Sequence, residues 1–548
     1  MNRARRAGLL AAAAAVAACS GDTDFLSFYG PPLFIPADPP VPLVQVSGET
    51  PFAAGCDQPG PTGTNYPSSE VEPYLAVNPL DPDNFIGTWQ QDRWSDGGAH
   101  ANLAGVTFDG GATWSIRQAP FSRCSGGNLI NGGDWARATD PWITFGPNGV
   151  AYWMAMNITG SLSGMSVSRS FDGGDSWDAP VYLVSSSAPY FNDKNSITAD
   201  PTDANHVYAT WDQLDSSTNT GPAVFTRTTD GGDNWEAVRE IWDPGAGAQT
   251  VGNLIVVLPD GTLVNLFTEI HFDSAQPDGA TLRVMRSTDQ GATWSAPITI
   301  DDMRTVGTQD PESGIPVRSG GILGSIAVAP GGDLWVAWQD SRFWGVVCLN
   351  PPCFGFGDSI VLARSTDGGL TWGAPVLVPA DPQVQAFTPS VHVADDGTIG
   401  VTYYDFRDDP GNDGYALTGY WLATSEDAGV TWTERRISGP FDLRIAPNAL
   451  GLFLGDYEGL RSSGTNFVPF FAQTFPSLRN RTNIYAVSLP TIAPAAAKAA
   501  SSYRAYSGPA AEMTVEWWER VRQNVEYRRP HFDDHTQPWF LPQYLRSY

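Results

Sequence analysis

Between residues 41 and 490 of this 548-residue chain, apolar positions fall in short stretches bounded by Gly, Pro, Asn and Asp. Short apolar or alternating runs with such borders are the pattern of strands, not of amphipathic helices. One unit recurs: an apolar strand, a turn, and a second strand ending in aromatic and polar residues. Examples are Pro73-Tyr74-Leu75-Ala76-Val77 with Asn84 to Gln90, Ser196-Ile197-Thr198-Ala199 with His206 to Trp211, and Ser325-Ile326-Ala327-Val328 with Asp333 to Trp338. Seven such units begin near Pro73, Asp140, Ser196, Gly252, Gly324, Pro389 and Ala449.

A second pattern follows the first six units: Ser or Thr, any residue, Asp, any residue, Gly, two residues, Trp. It reads Thr107-Asp109-Gly111-Trp114, Ser170-Asp172-Gly174-Trp177, Thr228-Asp230-Gly232-Trp235, Ser287-Asp289-Gly291-Trp294, Ser365-Asp367-Gly369-Trp372 and Ser425-Asp427-Gly429-Trp432. The residue types suit a hairpin. The Asp accepts backbone N–H groups of the turn, the Gly supplies a positive φ, and the Trp packs beneath the connection. These residues are expected to be structural, and one carboxylate per turn is a poor ligand set for calcium. Repeats roughly 60 residues apart indicate a propeller or solenoid array. Each such turn joins the third and fourth strands of a blade. The seventh unit ends in Asn483-Ile484-Tyr485-Ala486-Val487 without one. Val41 to Val46 alternates suitably to supply its missing strand, which would close the ring from both ends of the chain.

This turn is the Asp box, or bacterial neuraminidase repeat, and through it residues 41 to 490 resemble the sialidase (neuraminidase) superfamily. The resemblance implies an all-β propeller, with seven blades by the unit count and six as the alternative, followed by a short C-terminal helical and aromatic tail. Pro490 to Ala511 reads as a linker. Glu512 to Arg529 has Met513, Trp517, Val521 and Val525 at helical spacing, ended by Pro530. Residues 491–548 form linker and tail, expected to dock on the propeller or to meet a partner.

The other end speaks to location. Arg3, Arg5 and Arg6 precede an apolar run, Leu9 to Val16, which is too short to span a bilayer. Val16-Ala17-Ala18-Cys19 closes it as a lipobox. Residues 1–19 are therefore expected to be a lipoprotein signal with Cys19 acylated, and residues 20–40 a Pro- and Gly-rich tether. That places the protein in the cell envelope, the outer membrane favoured, facing periplasm or exterior. Cys56, Cys124, Cys348 and Cys353 read as two disulfides in an exported protein. Cys348 and Cys353 bracket one short loop, leaving Cys56 with Cys124. The net charge of −28 excludes nucleic acid and attachment to anionic lipid by charge. Nothing calls for a metal or cofactor, and the expected partner is a glycan, with the membrane reached only through lipid.

Propeller geometry selects the candidate site. Residues just before the first strand and just after the second strand of each unit converge on one mouth of the central channel, opposite the Asp boxes. They include Glu70, Glu72, Asp92, Arg93, Arg137, Asp140, Asp193, Lys194, Asp212, Glu269, Arg318, Trp338, Asp340, Arg342, Tyr404, Asp405, Arg407, Asp456 and Tyr457. Three units repeat an Asp-Arg theme: Gln91-Asp92-Arg93, Gln339-Asp340-Ser341-Arg342 and Tyr404-Asp405-Phe406-Arg407. Such pairs either lock the ring or offer guanidinium forks to an acidic or polyhydroxyl ligand. Sialidases hold a substrate carboxylate with three arginines, use a glutamate-activated tyrosine as nucleophile and an aspartate as acid/base. By residue type, the resemblance implies catalytic roles among Asp92, Glu269, Asp340, Tyr404 and Asp405. It implies substrate-binding roles among Arg93, Arg137, Lys194, Arg318, Trp338, Arg342 and Arg407. The implied activity is that of a sialidase-like glycosidase; the alternative is a non-catalytic envelope propeller that binds glycan or protein.

Overall fold

The computed structural model describes residues 41–58, 63–272, 279–344, 357–490, 501–504 and 515–527. Cys19, the Cys348/Cys353 pair, the tether and the aromatic end of the tail lie outside them.

The fold is a β-propeller. In the first unit, Glu70–Asn78, Asp81–Arg93, Ala99–Thr107 and Ser115–Gln118 pair antiparallel in chain order. The innermost strands of the next units are Arg137–Phe145, Tyr190–Ala199, Ala248–Val257, Ser325–Val328 and Ala386–Val393. Each begins its own antiparallel meander. The last unit is Gly459–Ser463, Asn466–Thr474 and Thr482–Ala486, beginning ten residues later than the expected Ala449. Its fourth strand is Val44–Gln45, with Val44 opposite Ala486, so the first and last strands of the propeller share one sheet.

Neighbouring units are pinned through their innermost strands. Ser196 Oγ donates to the Asn253 carbonyl at 2.7 Å, Thr198 Oγ1 to that of Ile255 at 2.7 Å, and Ser390 Oγ to that of Glu458 at 2.5 Å. Polar groups that a dry core would leave unpaired are thereby satisfied between sheets, where each is expensive to strand. The segment leading into the seventh unit meets the first through the Glu72 N–H to Leu454 carbonyl bond (3.0 Å), and the Phe470 ring of the seventh unit fills the space above Gly87.

All six Asp boxes share one geometry. In the second, Ser170 Oγ donates to Asp172 Oδ1 (2.8 Å), and the Gly174 and Ser176 N–H groups donate to Ser170 Oγ (2.8 Å) and Asp172 Oδ1 (2.9 Å). In the fourth, the Thr293 hydroxyl and N–H bond Asp289 and hold its carboxyl down near 2. These aspartates work on the backbone of their own turn, as the residue types required.

Cys56 and Cys124 form a disulfide that ties the segment before the first unit to the connection after it. Closing 68 residues limits the unfolded chain by about 4 kcal/mol in the chain-entropy picture. The tail helix α1, Val515–Tyr527, docks through Trp517, whose Nε1 donates to Ser341 Oγ (2.6 Å), and through Asn524, which donates to the Thr305 carbonyl (3.2 Å).

A methyl group added at Gly87 would overlap the Phe470 ring. Gly87→Ala is therefore expected to cost about 1 to 3 kcal/mol in denaturant melts. Adding Phe470→Leu should recover part of that loss, because the two sites share one space. Strictly additive losses would contradict this packing.

Candidate functional site at the channel mouth

Five innermost strands carry a bulge near the mouth, where the ladder register shifts. Each bulge holds one residue at positive φ: Glu72 (54°), Asp140 (44°), Lys194 (50°), Gly252 (70°) and Thr388 (50°). A bulge re-aims a side chain, and a non-glycine residue there costs of order 1 kcal/mol or more that the surroundings must supply. Here the re-aimed side chains include two carboxyls and an ammonium at the ring axis.

They line a cavity of about 90 Å³ together with Arg93, Asp193, Arg318 and Asp456. Arg318 arrives on an insertion between the fourth and fifth units. Its strand Pro316–Arg318 pairs parallel with Leu452–Phe453, which sets Arg318 opposite Phe453. The insertion is fastened from the other side by Arg444, which reaches Asp310 (2.5 Å) and Glu312 (2.7 Å). Arg93 and Arg318 both lie over the Phe453 ring, at 4.8 and 4.5 Å.

Charge in this cavity is unevenly matched. Asp456 receives Lys194 Nζ at 2.6 Å and Arg318 Nη2 at 2.8 Å. Burial disfavours its ionised form, but Arg318 and Lys194 outweigh that and hold its carboxyl well below the usual range. Glu72 has the opposite fate. Burial, reinforced by Asp140 and Asp456 and only partly offset by Lys194, pushes its carboxyl up to about 8. Asp140 and Asp193 are also raised, burial first. Asp212, opposite Asp193 in the ladder, is buried with neither carboxyl oxygen hydrogen-bonded among the described residues, and burial and Asp193 raise it well above its ordinary value. Arg93 donates to Gln90 Oε1 (2.6 Å), but its buried Nε has no partner among the described residues. Burial, then the like charge of Arg318, lowers it to about 10. The cavity thus presents a guanidinium pair, Arg93 with a donor to spare, beside carboxyls that burial raises, that of Glu72 to about 8.

Of the residues expected to have catalytic or substrate-binding roles, Arg93, Lys194 and Arg318 line the cavity. Arg342 and Arg407 are not among its lining. Arg342 is held by Asp340 (2.8 Å) and Asp301 (2.6 Å), and Arg407 by Asp405 (2.6 Å) and Glu434 (2.7 Å) above the Trp421 ring. The reason is local backbone geometry. Arg342 and Arg407 lie in turns that follow their strands, where Asp340 and Asp405 accept both the backbone N–H and the guanidinium of the residue two on, whereas Arg93 ends its strand and Asp92 before it has positive φ (65°). Asp92 turns outward to Thr50 Oγ1 (2.5 Å), the Ser68 N–H (2.8 Å) and His100 (2.9 Å), fastening the N-terminal segment. Arg137 is bonded to Asp96 (2.9 Å) over Trp94. Glu269 accepts from Trp242 (2.8 Å) and sits against His271 and Arg283. Trp338 donates to Asp340 within the core, and Tyr404 donates to the Ala472 carbonyl (2.6 Å) while packed on Phe387 and Tyr420. Asp405 is pushed up to about 7 by burial, against the pull of Arg407. Sequence reasoning placed Glu72, Asp140, Asp193 and Asp456 at the mouth but gave them no role, and it passed over Phe453. The signal for the first two was the acid-Pro step, Glu72-Pro73 and Asp140-Pro141, at the start of an innermost strand.

The raised Glu72 carboxyl makes stability depend on pH. Its folded value near 8 lies above the ordinary 4.5, so the folded state binds the extra proton and this contribution falls as pH rises from about 4.5 through 8. Glu72→Gln, which mimics the neutral acid, should show a smaller fall in melting temperature between pH 5 and pH 8 than the parent. Identical slopes would contradict a protonated Glu72.

No family model matches the chain. It is 27% identical over 216 residues to a xyloglucanase of Paenibacillus sp, covering 39% of this chain and 18% of that protein. It is 29% identical over 152 residues to a sialidase of Micromonospora viridifaciens, covering 25% of this chain and 22% of that protein. The chain therefore spans about a fifth of the length of these curated relatives. Among solved structures, a Hadza microbial sialidase aligns at 15% identity and a TM-score of 0.41, covering 74% of this chain and 75% of that one. The chain is a β-propeller that resembles the sialidase superfamily.

Proposed function

We propose that this propeller is a glycan-directed protein of sialidase-like type whose cavity at the channel mouth receives the acidic end of a sugar chain. The observation that carries the reading is the pairing of Arg93 and Arg318 over Phe453 beside Glu72. Two guanidinium groups packed on one aromatic ring and lining one cavity offer planar, charge-assisted donors to a carboxylate. Arg93 keeps a buried N–H without a partner among the described residues, a cost that a bound oxyanion would remove. The relatives named a xyloglucanase and a sialidase favour a glycan over other acidic ligands.

The same cavity supplies acid chemistry. A carboxyl held near 8 is mostly protonated at neutral pH and serves as a general acid toward a glycosidic oxygen, the role a glycoside hydrolase requires of one of its two carboxyls. Ionised Asp456 is occupied by Lys194 and Arg318, so its part is to fix those cations, not to attack. The alternative, a binding propeller without turnover, uses the same guanidinium pair and leaves Glu72 idle. We place the protein at the cell envelope, tethered through a lipid on Cys19 by the Val16–Cys19 lipobox.

A binding titration with glucuronate or N-acetylneuraminate against an uncharged sugar tests the reading. The acidic sugars should bind, Arg318→Met should weaken them about tenfold or more, and Arg407→Gln should leave them unchanged. Equal loss in both variants, or equal binding of the uncharged sugar, would refute the site. Turnover of an aryl glycoside lost in Glu72→Gln while binding persists would select hydrolysis over binding alone.

A further inference from the structure

Behind the mouth, the axis of the ring opens into a second, larger chamber. Its volume is about 350 Å³, within the range of roughly 300 to 1,000 Å³ usual for small-molecule pockets. The two spaces share Asp140, Lys194, Gly320, Leu323 and Asp456 as a waist. The chamber follows the innermost strands down to Phe145, Ala199, Val257 and Val328, at the end of the ring where the Asp boxes lie.

Its wall carries one feature that the mouth does not explain. Arg461 lines the chamber, and among the described residues it has no carboxylate within ion-pair distance. Its Nη1 donates to the Leu460 carbonyl (2.7 Å) and its Nη2 to the Tyr74 hydroxyl, with the guanidinium 4.8 Å from the Tyr74 ring. Tyr74 is itself fixed by stacking on Trp142 at 3.6 Å, and Tyr457 meets Trp142 edge-on at 5.1 Å. Like Arg93 at the mouth, Arg461 is thus a cavity-lining cation left without an ion-paired acid among the described residues, in a chain that has 59 acidic against 31 basic residues. The facing groups do not neutralise it. His392 Nε2 lies 3.0 Å from Ser462 Oγ, and burial, then Arg461, lowers the imidazole to about 3, so it is uncharged. Glu458 on the same wall accepts the Ala472 N–H through Oε2, and burial keeps its carboxyl well above the ordinary value. At the waist, Asp456 is matched by Lys194 and Arg318, and Asp140 faces Lys194 at 3.5 Å.

We propose that this inner chamber is a second binding site, taking a small oxyanion, a carboxylate, sulfate or phosphate group, at Arg461 against the Tyr74–Trp142 stack. The fork of Arg461 supplies charge-assisted donors, and the neutral imidazole of His392, held at Nε2 by Ser462, supplies an uncharged polar partner on the same wall. The site is separate from the mouth and does not depend on its function.

A crystal of the full chain soaked in selenate tests it directly, because selenium locates the anion by anomalous scattering. The expected result is a peak within hydrogen-bond distance of Arg461. A chamber without a peak, or a peak confined to Arg93 and Arg318, overturns the proposal. In solution at fixed ionic strength, sulfate should raise the melting temperature of the parent and of Arg318→Met, with affinity about tenfold or more weaker in Arg461→Gln. Equal sulfate affinity in Arg461→Gln overturns it too. Should that variant fail to fold, the soak of the parent decides alone. Comparing sulfate with glucuronate in the same titrations separates a free inorganic anion from the carboxylate of an organic ligand, and a failure at the mouth leaves this result unaffected.

Discussion

The arrangement at the axis depends on one buried carboxylate, that of Asp456, held between Lys194 and Arg318. An ionised group taken out of water must be compensated, and removing one partner of such a pair costs about 3 to 5 kcal/mol. The three residues come from the third unit, the insertion before the fifth, and the segment leading into the seventh. Their mutual need therefore fixes the relative positions of elements more than a hundred residues apart. It also consumes the strongest cation–anion attraction in the cavity. That leaves Glu72, Asp140 and Asp193 without full compensation, and burial keeps them above their ordinary values. The acid character of the mouth follows from how the ring is locked.

The repeat was legible because its chemistry is local. Each Asp box satisfies its own turn, so Asp172 and Asp289 bond atoms within four residues, and no distant contact was needed to read them. Sharing of one sheet by the two ends of the propeller was legible for a similar reason: the seventh unit lacked a fourth strand, and Val41 to Val46 has the alternation of one. The helix in the tail could be read from Trp517 and Val521, four residues apart, both of which are buried.

The site was legible only in part. That charged residues gather at one mouth follows from strand direction, and Arg93, Lys194 and Arg318 are there. Which of the arginines face the axis depended on a finer rule. In Asp340-Ser341-Arg342 and Asp405-Phe406-Arg407 the chain turns straight after the Asp, which lets the Asp capture its own Arg, whereas the adjacent Asp92 and Arg93 separate. The bulges that aim Glu72, Asp140 and Lys194 inward involve positive φ in residues that seldom adopt it, a tertiary demand that no local propensity announces. Phe453 was out of reach for another reason: its partner Arg318 is brought alongside by a parallel pairing between two connections.

The central claim is that Arg93, Arg318 and Glu72 form one receiving site for an acidic sugar. A crystal structure of the protein with a glucuronate- or N-acetylneuraminate-terminated oligosaccharide addresses it most directly. The account predicts the sugar carboxylate within about 3 Å of guanidinium nitrogens of both Arg93 and Arg318, with Glu72 facing the glycosidic oxygen. An oligosaccharide bound on the outer face of the blades, with Arg93 and Arg318 untouched, would contradict it.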